Sequence, residues 1–137
     1  MASGLSGANL ANKWLQVLGN AGPAAGTTFT GITSNFVQLH TGEPGSVGTA
    51  NVSSVTTRPT VTWGTASAGV IAITATFPAW SNWAGTNGEV VTNISIWDAA
   101  SSGNFLFSVL LTLSKTINTG DTATLSSLSL TFTPIAA

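Results

Sequence analysis

The sequence predicts a mainly β protein: an antiparallel, jelly-roll-like β-sandwich with one short N-terminal helix, forming a single domain over residues 1–137. Apolar and polar residues alternate over several short stretches, which is the period of a half-buried strand. Clusters of Gly, Pro, Asn, Asp and Ser separate these stretches, as turns do. About seven short strands joined by such turns are typical of a sandwich.

The helix is predicted within the N-terminal segment, residues 1–19. Gly19 stands where a helix commonly ends. Four apolar residues before it recur at helical spacing and share one face: Leu10, Trp14, Val17 and Leu18. Two interpretations of this face stay open. The helix packs on the sheet of its own domain, or it inserts into a neighbouring subunit.

The first strand is predicted from Asn35 to His40, where side chains alternate. The connection that follows, HTGEPGSVGTANVSS, is rich in Gly and contains a Pro, so we expect a long exposed loop. Arg58 to Trp63 is a candidate strand. Pro59 has no backbone N–H to donate, which predicts an edge strand or a strand start there.

A further strand is predicted from Gly69, ending at Pro78, because alternate residues up to Phe77 share one face. A hairpin follows, entered at about Glu89. Its centre, ISIWDAASSGNFLF over residues 94–107, places two alternating runs on either side of a polar turn. The second strand of the hairpin continues to Lys115.

The last strand is predicted from Ala123 to Thr133, after a reversal over residues 118–121, NTGD. Leu125 breaks the alternation kept by the later apolar residues. This predicts a bulge around Ser126 and Ser127.

The composition predicts assembly with other protein subunits. Only 5% of residues are charged, against about 25% in an ordinary soluble protein. A surface of hydroxyls and amides suits contact with further copies of the chain, so we expect a homo-oligomer. The sequence contains no cysteine, which excludes disulfides and thiolate chemistry.

The composition also argues against nucleic acid and membranes as partners. The three cations are Lys13, Arg58 and Lys115, too few for the roughly six to ten phosphate contacts of a typical DNA-binding protein. No stretch approaches the ~18 uninterrupted apolar residues of a membrane-spanning helix. The start, MASGLSGANLANKWLQ, lacks a basic segment and predicts no signal peptide.

The sequence provides little for catalysis. His40 is the only histidine, so a Ser-His-Asp triad would need it as base, with Asp98 or Asp121 as its orienting group. No G-x-S-x-G nucleophile motif exists, and a histidine ending a strand is more often a hydrogen-bonded structural residue. We therefore predict no catalytic residues.

The carboxylates give no clear catalytic pair, metal site or cofactor site. Asp98 and Asp121 occupy turns, while Glu43 and Glu89 stand beside glycines in connections. A glycosidase pair or a calcium site would need such groups clustered. We expect neither, and no cofactor.

Two tryptophans offer a binding alternative. Trp80 and Trp83 flank a turn-rich stretch, where they could stack on a sugar or anchor a protein contact. Core packing is the other interpretation. For contact with a partner, the candidate residues are Trp80, Trp83, His40, Glu43 and Pro44.

Three stretches together resemble a family of small tailed-bacteriophage virion proteins, described as tail fibre or minor tail proteins. They are FVQLHTGEPGSVGTANVSS; FPAW followed by GEVVTNISIWDAASSGNFLF; and LSKTINTGDT. The helix-forming segment ANKWLQVLGN also stands where that family has one. The resemblance covers nearly the whole chain in the family's order, except that NVSS and TTRP replace two patterns usual there.

The resemblance implies a non-enzymatic virion component, and the missing signal peptide predicts synthesis in the host cytoplasm. Its partners would be other virion proteins, further copies of itself in a homo-oligomer such as a trimer, and a host-surface receptor. Capsid decoration and carbohydrate binding are the alternatives. At the motif positions, seven residues look like turn and core residues: His40, Glu43, Pro44, Gly45, Trp97, Asp98 and Asp121.

Overall fold

The protein is known from a computed structural model that describes Gly4 and residues 34–132. The predicted N-terminal helix lies outside the described residues. Residues 34–132 form eight strands, and every named strand pair is antiparallel. The strands are β1 (Asn35–His40), β2 (Thr60–Val61), β3 (Val70–Ala72), β4 (Ala79–Trp80), β5 (Glu89–Trp97), β6 (Phe105–Ile117), β7 (Ala123–Thr124) and β8 (Ser129–Thr131).

The strands form one main sheet and two small ones. The main sheet has the order β2-β1-β5-β6, while β3 pairs with β8 and β4 pairs with β7. Central strands β1 and β5 are paired so that Val37 lies opposite Ile96 and Gln38 opposite Ser95. Because side chains alternate along each strand, this register places Val37 and Ile96 on an apolar face. The opposite face, here called the polar face, bears Gln38 and Ser95 together with the Trp97 ring.

The apolar face belongs to the main core. Buried residues from the main sheet and from the β4–β7 pair, such as Ile94 and Trp80, form one hydrophobic cluster with Ile73 and Leu128, which adjoin β3 and β8. Leu130 of β8 is partly buried against this cluster. Burying a side chain of this size contributes roughly 1.5–3 kcal/mol. The core therefore joins the small sheets to the main one, although no strand pairing links them.

Several predicted elements are confirmed. β1 has the predicted bounds, β5 begins at Glu89 as expected, and the hairpin joins β5 to β6. β2 lies at the edge of the main sheet directly after Pro59, as the missing N–H of that proline predicts. β6 extends two residues beyond Lys115.

Two predicted strands are shorter than expected. The strand predicted from Gly69 to Phe77 is only Val70–Ala72, since Ile73 forms an isolated bridge with Trp63 and the backbone bends at Ala75 and Thr76. The strand predicted from Ala123 to Thr133 is split, because β7 pairs with β4 whereas β8 pairs with β3. The expected bulge falls in the break between them.

The mainly β class and the antiparallel pairing are thus confirmed. The arrangement as a jelly-roll-like sandwich, and the extent of a single domain over residues 1–137, stay predictions. In the part of the chain that the structure describes, no helix has the length and apolar character needed to cross a membrane.

Candidate functional site

The polar face of the main sheet contains a buried chain of hydrogen bonds centred on His40. His40 and Ser95 both have 0% solvent exposure. The His40 Nε2 atom lies 2.7 Å from Ser95 Oγ, and its Nδ1 atom lies 2.8 Å from the carbonyl oxygen of Ala50. Trp97 donates its indole N–H to the same Ser95 oxygen, at 2.8 Å.

The partners determine the direction of each bond. The Ala50 carbonyl can only accept, so Nδ1 of His40 carries the proton. In the neutral imidazole Nε2 then accepts from the Ser95 hydroxyl, whose oxygen accepts from Trp97. Burial lowers the pKa of His40 and the nearby Arg58 charge adds to that effect, while hydrogen bonds to the backbone at Ala50 and Asn51 oppose it. The neutral ring is therefore the favoured form.

Arg58 packs against this network and forms hydrogen bonds with residues around it. Its Cζ atom lies 3.7 Å from the centroid of the Trp97 ring, a cation–π arrangement. Its Nε donates to Gln38 Oε1 at 2.8 Å, and one terminal nitrogen donates to the Ser102 carbonyl at 2.8 Å. Burial lowers the pKa of the guanidinium. Arg58 thus ties strand β1 to the turn of the hairpin.

The segment between β1 and β2, residues 41–59, forms a covering loop over this polar face. Gly48 is buried against the rings of Trp97 and Phe105, whose centroids are 5.8 Å apart. A Cβ atom at Gly48 would lie 2.5 Å from the Phe105 ring, and the φ angle is +75°. Only glycine meets both requirements without strain.

The expectation that this loop is exposed throughout is wrong at several positions. Pro44, Gly48 and Ser53 are buried. The Asn51 side chain donates to the Glu43 carbonyl at 2.8 Å, which closes the first part of the loop on itself. Contact with the sheet, rather than polarity of the sequence, determines which loop residues are covered.

The far end of the covering loop is held by Glu89. This residue follows the glycine that ends the connection, is the first residue of β5 and is 9% exposed. Its carboxylate accepts from the Ser53 hydroxyl and from the Ser54 N–H. Burial raises the pKa of Glu89, but the hydrogen bonds from Ser53 and Ser54 together outweigh burial and hold that pKa below its usual value.

Asp98 and Asp121 each stabilise the turn in which they lie. Asp98 accepts from the backbone N–H of Asn104 at 2.6 Å and from the Asn104 side-chain amide at 2.8 Å, closing the hairpin turn. Asp121 accepts from the Asn118 N–H at 2.9 Å. Neither carboxylate is bonded to His40, whose Nδ1 partner is the Ala50 carbonyl.

The two candidate contact tryptophans lie in the core. Trp80 is 4% exposed and Trp83 is 1% exposed. Their indole N–H groups donate to the carbonyls of Thr57 at 3.0 Å and Thr86 at 3.2 Å. Stacking on a sugar would require both rings to leave the core, so core packing accounts for their positions.

The chemistry open to the site follows from this burial. Ser95 and His40 have the spacing of a nucleophile and a base, but both are covered and the ring is oriented by a carbonyl instead of a carboxylate. Among residues 34–132 and Gly4, no group of three or more His, Asp or Glu side chains could hold a metal ion. The network instead fixes the covering loop to the sheet.

The surface of the described residues also has apolar grooves and exposed apolar side chains. One groove, of about 530 Å³, is lined by residues that include Trp63, Val70 and Phe107. A second, of about 400 Å³, lies beside Trp80 and Lys115. Among residues 34–132, the most exposed large apolar side chains are Leu113 at 82%, Val47 at 64%, Phe132 at 63% and Leu110 at 50%.

Sequence reasoning identified His40 and the turn aspartates but missed Ser95, Arg58 and Gly48 as contact residues. The alternation of Ser95 and Trp97 on one strand face was the available signal for their proximity. Nothing in the sequence pairs Arg58 with Trp97 or Gly48 with Phe105, because these contacts form across long stretches of chain.

Comparison with known proteins gives one family. Residues 8–133 match the family described as Podophage GP4 fiber I protein gp80. The matched segment includes all eight described strands and the covering loop. No curated protein matches the chain.

Proposed function

Because this chain belongs to the Podophage GP4 fiber I protein gp80 family, we propose that it is a non-enzymatic structural protein of a tailed-phage virion, of the tail fibre or minor tail type. The match over residues 8–133 is the observation that carries this proposal. Its partners are other virion proteins, and it is made in the cytoplasm of the host cell.

The contacts of the recognised motifs agree with a framework role. His40 ties β1 to Ser95 and to the covering loop, while Asp98 closes the hairpin turn. The His40 side chain thereby connects segments that are distant in sequence, and the Asp98 side chain stabilises a tight turn. A rigid framework is what a virion component that bears subunit contacts requires.

The surface supports assembly into a homo-oligomer, and we propose a trimer. Only 5% of residues are charged, and Leu113 and Val47 are more than half exposed. When a second subunit covers such side chains, the favourable free energy of burial is about 25 cal/mol per Å² of apolar area. Light scattering coupled to size exclusion should give the mass of a trimer, whereas a monomer at high concentration would contradict assembly.

The site of attachment is tested by gold-labelled antibodies against the purified chain, applied to intact virions and viewed by electron microscopy. Label on the tail or its fibres is the expected result. Label distributed over the head would instead identify a capsid decoration protein, and label on neither structure would overturn a virion role. Virions lacking the gene product provide the control for antibody specificity.

Receptor binding on the host surface is a further role that we propose for the assembled fibre. The candidate contacts are Glu43 on the covering loop and the exposed residues around it, since the other candidates are buried: Trp80, Trp83, His40 and Pro44. Purified chain should bind host cells and compete with phage adsorption. Absence of binding by the assembled oligomer would limit the chain to a structural role.

A further inference from the structure

The larger apolar groove, here called the Phe107 groove, lies between the main sheet and the β3–β8 pair. Its lining includes Trp63, Val70, Leu106, Phe107, Leu130 and Phe132. Its volume of about 530 Å³ is within the ~300–1,000 Å³ range of pockets that bind organic ligands. We propose that the Phe107 groove binds residues 10–18 of the same chain through the apolar side chains that these residues share at helical spacing.

The residues that flank the undescribed N-terminal segment lie in or next to the lining of this groove. Asn35, the first residue of β1, lines it directly. At the other end, the carbonyl oxygen of Gly4 accepts a hydrogen bond of 3.1 Å from the N–H of Ser108, which follows Phe107 on β6. The chain between Gly4 and Asn35 therefore begins and ends beside the same groove.

The length of the chain allows the segment to reach the groove. Leu10 is the sixth residue after Gly4, so the two are at most ~20 Å apart in extended chain. A helix over residues 10–18 would span about 13 Å. With both attachment points at the rim, the segment is held at a high effective concentration next to the groove, which favours it over the same segment of another copy.

The chemistry of the two surfaces is complementary. Leu10, Trp14, Val17 and Leu18 would share one apolar face, on which Trp14 is the largest side chain. The groove offers aromatic and aliphatic walls, and Asn35 is its polar lining residue. A tryptophan inserted between aromatic and branched side chains buries a large apolar area, as anchoring residues at interfaces do.

Disulfide trapping tests the proposal in the full-length chain, whose lack of cysteine leaves only the introduced thiols. One double variant combines Leu10→Cys with Val70→Cys on the groove wall, and another combines Leu18→Cys with Val70→Cys. In the matched controls the second cysteine is Val47→Cys, an exposed apolar position on the covering loop. Mild oxidation is followed by non-reducing electrophoresis and intact-mass measurement.

At least one groove pair should form a disulfide within a single chain, faster than both Val47 controls. Disulfide-linked dimers from the groove pairs would overturn the proposal, because they would show that a second copy supplies the segment. Equal rates for groove and control pairs would overturn it as well, since the groove would then have no preference for the segment.

A labelling measurement keeps the proposal testable if a double variant fails to fold. The single variants Val70→Cys and Val47→Cys are reacted with a maleimide, each with and without Trp14→Asp. Loss of the Trp14 anchor should accelerate labelling of Val70→Cys by about tenfold or more and leave Val47→Cys unchanged. Unchanged labelling at Val70→Cys would overturn the proposal. Neither experiment depends on whether the chain belongs to a tail fibre.

Discussion

The Nε2 atom of His40 lies 2.7 Å from the Oγ atom of Ser95, and both side chains are fully excluded from solvent. This bond joins neighbouring strands β1 and β5 on the polar face of the main sheet. The other ring nitrogen of His40 reaches the covering loop at Ala50. One side chain therefore couples the two central strands to the loop above them.

Acidification should weaken the fold through His40. Its pKa in the folded protein is lowered from 6.5, mainly by burial, so the unfolded chain takes up the proton first as pH falls. The stability contributed by the neutral ring is full above about pH 6.5 and is lost as pH falls from there toward the folded pKa. Urea unfolding at about pH 7.5 and about pH 5.5 measures this loss.

His40→Gln is the control for that experiment. This variant should be less stable than the parent at neutral pH. Because His40 is the only histidine, the free energy of unfolding of the variant should differ much less between the two pH values. A pH difference that persists in His40→Gln would assign the effect to another group.

Glu89 should contribute a second, more acidic step. The pKa of its carboxyl is held below 4.5 by hydrogen bonds from Ser53 and Ser54, despite burial. Its stabilising contribution is therefore present above about pH 4.5 and is lost as pH falls through the folded pKa. Glu89→Gln should reduce the free energy of unfolding at neutral pH by roughly 1–3 kcal/mol, measured by urea titration, and should remove this acid step.

Ser53→Ala separates the partners of Glu89. It removes one donor to the carboxylate but leaves the Ser54 N–H in place. Ser53→Ala should therefore reduce the free energy of unfolding less than Glu89→Gln does, and should raise the pKa of Glu89. A larger loss from Ser53→Ala than from Glu89→Gln would contradict the role assigned to the carboxylate.

Gly48→Ala should destabilise the covering loop through both backbone strain and collision. Its φ angle of +75° is unfavourable for alanine, and the added Cβ would lie 2.5 Å from Phe105 and 2.9 Å from Trp97. Gly88→Ala is the matched control, with a φ of +73° and no atom within 4 Å. Backbone strain alone should lower the free energy of unfolding of this control by about 1–2 kcal/mol.

Thermal or urea unfolding of the two glycine variants gives the comparison. Gly48→Ala should cost at least about 1 kcal/mol more than Gly88→Ala, since overpacking adds to strain. Equal losses would show that the loop can move away from the two rings without cost.

Replacing Arg58 should loosen the hairpin turn. Arg58→Met removes the cation–π contact with Trp97 and the bonds to Gln38 and Ser102, for an expected loss of roughly 1–3 kcal/mol. Arg58→Lys should recover little, because an ammonium group cannot reproduce the planar fork. Lys115→Met, at an exposed cation, should change the free energy of unfolding little in the same urea assay. If Arg58→Lys had the same free energy of unfolding as the parent, the contribution of Arg58 would come from its charge alone.

The sequence predicted the elements that depend on local pattern. β1 and the start of β5 follow from alternation, and the turn at Asp121 follows from its short-range side-chain bond. The last strand was mispredicted because its halves pair with β4 and β3, a choice made by strands more than 40 residues earlier in sequence. Periodicity within one segment contains no information about which sheet that segment will join.

The contacts of the site were harder to predict than the strands. Ser95 is separated from His40 by 55 residues, and Ser102 from Arg58 by 44 residues. Such contacts follow from strand register, which a single sequence does not specify. The burial of Trp80 and Trp83 likewise results from packing between sheets, although their spacing also suited an exposed binding surface.

The most direct test of the central claim, that this chain is a structural component of the tail fibre, is its copy number in purified virions by quantitative mass spectrometry. The tail portal and the major capsid protein provide internal standards in the same particles. The fibre assignment predicts a small multiple of the tail symmetry, far below the capsid protein. A copy number comparable with that of the capsid protein, or absence from the particle, would contradict it.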